Sequence, residues 1–110
     1  MRKIYLFCNA GMSTSLLVSS MQDAAFAHNI PVEVKAYSHT KLDEVIEKEI
    51  PDCMLLGPQV KHLFKDIVKR YPDIPVDMID PDEYGFMRGD AVLKRAVVLI
   101  QNHQIQQKEL

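Results

Sequence analysis

The segment KIYLFCNAGMSTSLLV, residues 3–18, decides how this chain folds. It opens with a short apolar run that ends at Cys8, continues through small and hydroxylic residues, and takes on a helical pattern from about Ser13. When a strand leads through such a loop into a helix, the loop amides and the helix N-terminus converge on one point and attract an anion there. The segment therefore predicts a site of phosphate size, with a cysteine at its edge.

Strand-like and helical segments alternate along the rest of the chain. Four apolar stretches predict buried strands at residues 3–7, 32–36, 53–56 and 76–79. Helical periodicity follows each strand, at residues 13–28, 41–49, 59–71 and from about 89. This alternation predicts an α/β fold, with a four-stranded parallel sheet of order 2-1-3-4 and helices on both faces, in the three-layer, flavodoxin-like arrangement. Ligands of such sheets bind at the carboxyl ends of the strands, beside strand one, where Cys8 lies.

Individual residues predict where the helices begin and end. Thr40 is the expected N-cap of the second helix, with Asp43 as its capping-box partner. Pro58 is expected at the first position of the third helix, and Val68 is expected in that helix's buried stripe. From about residue 104 the last helix loses its apolar face, so we expect the tail to fray.

The composition predicts one domain, residues 1–110, with a single core. The chain is 47% hydrophobic and has a formal net charge of −2, so it lacks the basic balance of nucleic-acid-binding domains. The apolar runs are too short to span a bilayer, and the N-terminus lacks the features of a signal peptide. We therefore expect a cytoplasmic protein with free thiols that does not itself span a membrane, and nothing in the sequence demands more than a monomer.

The two cysteines have different sequence surroundings. Cys8 precedes Gly11 and a run of hydroxyls that a structural thiol does not need, so we expect a reactive thiol at the surface with a lowered pKa. The alternative is a small buried residue that ends a strand. Cys53 lies in an apolar strand and is expected to be an inert core thiol. The four histidines lack the paired spacing of a zinc site, and no metal or other cofactor is expected.

The residues predicted to bind the anion follow Cys8 directly. They are Asn9, Ala10, Gly11, Met12, Ser13, Thr14 and Ser15. At least one of the three hydroxyls is expected to cap the helix, and Gly11 permits left-handed backbone angles and close approach of a ligand. A rim or partner-docking surface is predicted at the same edge of the sheet, at Pro58, Gln59, Tyr84 and Phe86. Tyr84 either belongs to that surface or folds back on the core.

A cysteine in an anion loop also fits a phosphatase. Low-molecular-weight cysteine phosphatases place an arginine after five intervening residues, and this chain has Thr14 at that position. Without the guanidinium that stabilises a transferring phosphoryl group, we expect little hydrolysis. Asp80-Pro81 is similar to the general-acid loop of those enzymes, but an ordinary turn explains the pair better. A loop that binds phosphate without promoting attack by water suits a phosphate carrier.

These residues resemble the enzyme IIB component of the phosphoenolpyruvate-dependent sugar phosphotransferase system, of the lactose/cellobiose (chitobiose) type. The resemblance rests on IYLFC at residues 4–8 with AGMSTSLLV at 10–18, and continues in LLGPQ at 55–59, residues 76–80 with Tyr84-Gly85, and VLK at 92–94. It implies a phosphotransferase with a phosphocysteine at Cys8. The phosphate donor would be a phosphohistidine of the IIA protein, and the acceptor a β-disaccharide, of cellobiose or chitobiose type, held by the membrane IIC permease.

Partners of this kind must reach Cys8, so we expect a flat docking face around it. We also expect the protein to associate transiently with the inner face of the cell membrane. Its expected members are Met12, Leu16, Pro58, Tyr84 and Phe86. The sequence does not identify the sugar, because in this family selectivity for the sugar belongs mainly to the permease. Two other classes stay open as well: a cysteine phosphatase that has lost its arginine, and a regulatory module that senses anions and uses Cys8 as a redox switch.

Overall fold

Four parallel strands form the centre of the structure, a computed structural model that describes residues 1–9 and 12–109, with only the backbone at 12 and 109. The strands are β1 (Arg2–Cys8), β2 (Val32–Ser38), β3 (Cys53–Leu56) and β4 (Val76–Met78). They pair in the order β2-β1-β3-β4, and each neighbouring pair is parallel. The predicted sheet is therefore confirmed in both order and direction.

Five helices cover the two faces of this sheet. They are α1 (Met12–Ala27), α2 (Leu42–Lys48), α3 (Phe64–Arg70), α4 (Pro81–Gly85) and α5 (Gly89–Glu109). Helices α1 and α5 pack on one face, and α2 and α3 pack on the other. The three-layer α/β arrangement predicted from the sequence is thus confirmed. Of the helices in residues 12–109, none is long and apolar enough to cross a bilayer.

Strand β1 is buried on both sides, which fixes the position of its last residue. Ile4 and Leu6 lie in the core beneath α1 and α5, whereas Tyr5 and Phe7 lie in the core beneath α2 and α3. Each fully buried side chain of this size contributes about 1.5–3 kcal/mol. A shift of one residue would exchange the contents of the two cores, so the strand has one register. That register places Cys8 at the carboxyl edge of the sheet, opposite Ser38.

The predicted cap of the second helix is wrong, although α2 starts within one residue of the predicted position. The side chain of Ser38, not Thr40, accepts the capping hydrogen bond, from the Thr40 amide, and opens a 3₁₀ turn (His39–Lys41) before α2. Asp43 is not a capping-box partner either. Its carboxylate accepts hydrogen bonds from Tyr71 and Arg70, which lower the pKa of the Asp43 carboxyl and tie α2 to the end of α3.

The third predicted helix is divided into two segments. Pro58 opens the first, as predicted, but this segment is a 3₁₀ turn (Pro58–Leu63) in which Val60 leaves helical angles, at φ −120° and ψ 20°. A 3₁₀ turn has about 3 residues per turn rather than about 3.6, so the apolar stripe does not keep its phase into α3. As a result Val68, expected in the core, is 40% exposed, while Ile67 is buried.

The segment expected as a loop after β4 contains the short helix α4. Asp80 is its N-cap, because its Oδ1 atom accepts hydrogen bonds from the amides of Asp82 (2.9 Å) and Glu83 (3.2 Å). Pro81 follows at the start of the helix, where its missing N–H is not needed. The Asp80-Pro81 pair therefore has a structural use, as the sequence favoured.

The last helix begins at Gly89 as predicted but continues beyond the predicted tail. Fraying is expected from about residue 104, whereas α5 runs through Glu109. Its final turns have exposed side chains, which agrees with the loss of the apolar stripe. A hydrogen bond from Arg2 to Gln104 Oε1 (3.1 Å) joins this part of α5 to the start of β1, a contact that periodicity alone does not reveal.

Gly57 lets the end of β3 approach Cys8 closely. Its N–H donates a hydrogen bond to the Phe7 carbonyl (2.9 Å). A Cβ atom built on Gly57 would lie 2.6 Å from the Cys8 Cβ and 2.7 Å from Gln59 Oε1. The φ angle of Gly57 is −63°, which any residue adopts, so the constraint is space and not backbone conformation. Glycine is needed here because a side chain would displace Cys8.

We expect Gly57→Ala to destabilise the protein, because the added methyl group overlaps the Cys8 side chain. The free energy of unfolding should fall by about 1–3 kcal/mol, as for overpacked cores. Gly85→Ala is the matched control, since a Cβ there meets nothing within 4 Å and should change stability by less than about 1 kcal/mol. Urea unfolding followed by circular dichroism measures both, and equal stabilities for Gly57→Ala and the wild type would contradict the packing argument.

Candidate functional site

Cys8 lies at the carboxyl edge of the sheet between the ends of β2 and β3. Ser38 is its neighbour on one side, and Gly57 closes the other side. Only 2% of Cys8 is exposed, so the expected surface position is wrong. The cause is the close approach of Gly57 to the Cys8 β-carbon and of the Thr14 hydroxyl to the sulfur, which the local sequence does not reveal. A partner must therefore reach the sulfur through a cleft.

A cleft of about 170 Å³ leads to Cys8 between the ends of β1 and β2. The described residues that line it are Cys8, Asn9, Thr14, Ser15, Ala36, Tyr37 and Ser38. None of these seven residues is Asp, Glu, Lys, Arg or His, and four of them carry hydroxyl groups. Neutral hydrogen-bond donors near the start of α1 suit a small anion.

Among residues 1–9 and 12–109, no group of three His, Cys, Asp or Glu side chains is placed to hold a metal ion.

Thr14 is the loop hydroxyl that contacts the sulfur. Its Oγ1 atom lies 2.9 Å from Cys8 Sγ and 3.0 Å from the phenol oxygen of Tyr84. Thr14 is 3% exposed, whereas Ser13 and Ser15 are exposed. Because α1 already begins at Met12, all three hydroxyls lie inside its first turn, and the expectation that one of them caps the helix is wrong. Thr14 instead joins α1 to the cysteine.

Burial raises the pKa of the Cys8 thiol above its ordinary value, and the hydrogen bond with Thr14 offsets only part of the rise. The lowered pKa expected from the sequence is therefore wrong. The loop pattern indicates groups that favour a thiolate, but removal of the sulfur from water disfavours the charged form more strongly. Near neutral pH the raised pKa favours the protonated thiol, which is a poorer nucleophile than a thiolate.

Cys53 contrasts with Cys8, as the sequence predicts. It is fully buried in β3, and its burial, with smaller contributions from the charges of Asp52 and Asp77, raises the pKa of its thiol to about 12. Both cysteines are free thiols. Cys53 is therefore confirmed as a core residue whose thiol is not available for chemistry near neutral pH.

The other residues of the predicted anion loop are described only in part. Asn9 is exposed at the start of the loop and lines the cleft. Ala10, Gly11 and the side chain of Met12 lie outside the described residues. The described residues of this segment that line the cleft are therefore Asn9, Thr14 and Ser15.

The candidate rim residues lie at the predicted edge, but their exposure differs. Pro58 is half-buried and Gln59 is exposed. Tyr84 folds back, because its ring packs against the core beneath α1 and α5 and its phenol reaches Thr14. Phe86 is 76% exposed. Of the two aromatic residues after β4, Phe86 alone offers an open apolar surface.

Three features of the site are not indicated by the sequence. Two of them are the close approach of Gly57 to Cys8 and the contribution of Tyr37 to the cleft. The signal for Gly57 is its place at the end of the strand next to that of Cys8, where two backbones approach. The contact between Thr14 and Tyr84 joins residues 70 apart, and no local pattern indicates it.

Iodoacetamide is expected to modify Cys8 slowly near pH 7. The reaction should become faster as the pH rises above the ordinary pKa of a cysteine thiol. The reason is the raised pKa, since only the thiolate reacts. Cys53 should stay unmodified until the protein unfolds. Peptide-resolved mass spectrometry over a pH series gives both rates, with an unstructured cysteine peptide as the reference. A Cys8 rate at pH 7 equal to or above that of the peptide would contradict the buried-thiol description.

Known proteins match this chain along most of its length. Residues 3–95 match the family model described as "PTS system, Lactose/Cellobiose specific IIB subunit", where PTS stands for phosphotransferase system. The galactose-specific EIIB component of Lactococcus lactis subsp. cremoris strain MG1363 is 43% identical in an alignment of 98 residues that covers 84% of this chain and 91% of that protein. The cellobiose-specific EIIB component of Lactococcus lactis subsp. lactis strain IL1403 gives the same identity and coverage.

A solved structure agrees with these matches. The solution structure of the cellobiose-specific phosphotransferase IIB component from Borrelia burgdorferi superimposes with a TM-score of 0.75 at 36% identity, over 93% of this chain and 94% of that one. IIB components are phosphotransferases that work with IIA and IIC partners. This chain therefore belongs to the lactose/cellobiose-specific IIB subunits of the sugar phosphotransferase system.

Proposed function

We propose that this protein is a phosphocarrier and that Cys8 carries the phosphoryl group. It receives the group from a phosphohistidine of a IIA protein and passes it to a β-disaccharide of the cellobiose or chitobiose type during uptake through a IIC permease. The single observation that best supports this role is the position of Cys8 at the floor of a neutral cleft, with the Thr14 hydroxyl 2.9 Å from its sulfur. Membership of the family supports the choice of partners.

In the proposed first step, the Cys8 sulfur attacks the phosphorus of the phosphohistidine in line. The N–P bond breaks as the S–P bond forms, the thiol proton leaves, and the released imidazole nitrogen takes up a proton. The three equatorial oxygens gather negative charge during this step, and backbone amides of the loop are suited to stabilise it. The proposed phosphate-binding residues are Asn9, Ala10, Gly11, Met12, Ser13, Thr14 and Ser15.

In the proposed second step, a hydroxyl of the sugar attacks the same phosphorus. The S–P bond breaks, the sulfur leaves as a thiolate, and the hydroxyl proton is released. The neutral Thr14 occupies the position where low-molecular-weight phosphatases carry arginine, so attack by water lacks the guanidinium that would stabilise it. The phosphoryl group is therefore held on sulfur until the sugar arrives.

The raised pKa of Cys8 also suits a carrier. A thiol that is protonated near neutral pH does not react with unrelated electrophiles, and it gives up its proton only when the donor is in place. The cleft of about 170 Å³ has room for a phosphoryl group, whereas a disaccharide must approach from outside it. The sugar is left to the permease, in agreement with relatives of equal identity that are named for galactose and for cellobiose.

Partner docking is proposed on the surface around the mouth of the cleft. Phe86 and Leu16 are exposed apolar residues, one just after α4 and one in the first turns of α1. Pro58, which is half-buried, and Gln59, which is exposed, follow β3 and are proposed as further members of this surface. Small apolar contacts of this kind fit transient partners that exchange during each cycle. We propose that the protein acts as a monomer. It would exchange partners in the cytoplasm, at the inner face of the membrane.

The carrier role is tested by intact mass after incubation with phosphoenolpyruvate, the general phosphotransferase proteins and a lactose/cellobiose-type IIA. Wild type should gain one phosphoryl group, and Cys8→Ser should gain none. Cys53→Ala is the matched control and should be phosphorylated like wild type, because Cys53 is buried in the core. Membranes with the IIC permease and a β-disaccharide should then remove the group.

Two outcomes would contradict this proposal. An unmodified wild type in the presence of active IIA would exclude a carrier. Steady release of inorganic phosphate without sugar, abolished by Cys8→Ser, would identify a phosphatase instead.

The docking surface is tested by Phe86→Ala. We expect the rate of phosphoryl transfer from IIA at limiting IIA to fall about tenfold, equivalent to about 1.4 kcal/mol, because an exposed aromatic residue is lost from the contact. Phe26→Ala is the control, since Phe26 is 88% exposed at the far end of α1. Rapid-quench transfer assays compare the two variants, and wild-type rates for Phe86→Ala in both transfer steps would remove Phe86 from the surface.

A further inference from the structure

Three side chains form a hydrogen-bonded row that ends at the sulfur. Cys8 Sγ lies 2.9 Å from Thr14 Oγ1, which lies 3.0 Å from the phenol oxygen of Tyr84. The three residues belong to β1, α1 and α4. The row therefore joins three elements of the fold at the site, and no other hydrogen bond of the Thr14 hydroxyl is recorded among the described residues.

The position of Tyr84 is set by the packing of α4. Its ring packs against the core beneath α1 and α5. An ion pair between Glu83 and Arg95 ties α4 to α5. The residues after α4 are tied to α1, because Ser20 Oγ donates a hydrogen bond to the Met87 carbonyl (3.1 Å) and accepts one from the Gly89 amide (3.2 Å). The phenol is thus held in place by several contacts outside the site.

The proton count along the row determines its direction. A thiolate only accepts hydrogen bonds, so the single hydroxyl proton of Thr14 must then point to the sulfur. The Thr14 oxygen is free to accept, and the phenol of Tyr84 is the group in place to donate to it. Thr14 is 3% exposed, so water is a poor substitute for that phenol. A donor chain of this kind also strengthens each of its bonds.

From this geometry we propose that Tyr84 is a positioning residue for Cys8: its phenol holds the Thr14 hydroxyl in the orientation that donates to the sulfur whenever the sulfur is a thiolate. The proposal rests on the proposed role of Cys8 as the phosphoryl carrier. In that role the thiolate appears twice, before it attacks the phosphohistidine and when the sugar displaces it. Tyr84 therefore acts in both steps without contacting the phosphoryl group.

Tyr84 acts on Cys8 only through Thr14. Substitutions of Tyr84 and Thr14 should therefore shift the pKa of Cys8 in a non-additive way. Removal of the phenol weakens the bond from Thr14 to the thiolate, so the pKa of Cys8 rises. Removal of the Thr14 hydroxyl abolishes that bond, and the pKa rises further. Once the hydroxyl is gone, the phenol has no route to the sulfur, so the two effects are not additive.

The test is a titration of Cys8 by NMR, with the β-carbon of cysteine labelled and Cys53→Ala as the background, so that one thiol reports. Tyr84→Phe should raise the pKa by about half a unit, and Thr14→Val by about one unit or more, as expected for a lost hydrogen bond to a charged group. The double variant should match Thr14→Val alone. Thr14→Ser keeps a hydroxyl and should stay near the starting value.

Tyr71→Phe is the matched control for Tyr84→Phe. It removes another half-buried phenol, one that donates to Asp43 between α2 and α3, and it should leave the titration of Cys8 unchanged. Thermal unfolding of each variant shows whether it is folded. If Thr14→Val does not fold, Tyr84→Phe and Thr14→Ser decide the matter, because Tyr84→Phe keeps the ring that packs against the core and Thr14→Ser keeps the hydroxyl.

Two results would overturn the proposal: an unchanged pKa in Tyr84→Phe, or a double variant whose shift equals the sum of the single shifts. The titration uses no phosphoryl donor, so it fails or succeeds independently of the carrier role. Phosphorylation of Cys8 together with an unchanged pKa in Tyr84→Phe would reject only the role of Tyr84. A raised pKa in Tyr84→Phe, in a protein that is never phosphorylated, would reject the carrier role and keep the hydrogen-bonded row.

Discussion

The contact between the Cys8 sulfur and the Thr14 hydroxyl is the constraint on which the rest of the site depends. It joins the last residue of β1 to the first turn of α1, so the anion loop starts and ends beside the sulfur. Gly57 closes the opposite side at a distance that no side chain would permit. The same closure that orients the sulfur also removes it from water, and this is why its pKa is raised.

A buried thiol in a cleft without charged side chains differs chemically from the activated cysteine of a phosphatase. The phosphatase keeps a ready thiolate and a guanidinium that stabilises the transferring group, which together favour hydrolysis. Here burial favours the protonated thiol, and the hydrogen-bond partner of the sulfur is the neutral Thr14 hydroxyl, which Tyr84 contacts in turn. In the proposed carrier role, such a site would favour transfer between partners that bring their own groups to the phosphorus, and it would disfavour loss of the phosphoryl group to water.

Much of the fold follows from the sequence, because its determinants are local or periodic. Strands such as β1 and β3 are apolar on both sides, and alternation with helices sets the order of the sheet. The failures have tertiary causes. Ser38 replaces Thr40 as the cap because it begins an extra turn, and Val68 turns outward after a change of helix type. The pKa of Cys8 is raised by burial in the folded structure, which the local sequence around Cys8 does not indicate.

In the proposed carrier, the phosphoryl group is bonded to the sulfur of Cys8. This bond is tested by ³¹P NMR of the protein after phosphorylation from phosphoenolpyruvate through IIA, with through-bond correlation to protein protons. We expect one phosphorus resonance that correlates with the β-protons of Cys8 and disappears when permease and sugar are added. A phosphorus resonance that correlates instead with a histidine ring, or with the side chain of Ser13, Thr14 or Ser15, would contradict it.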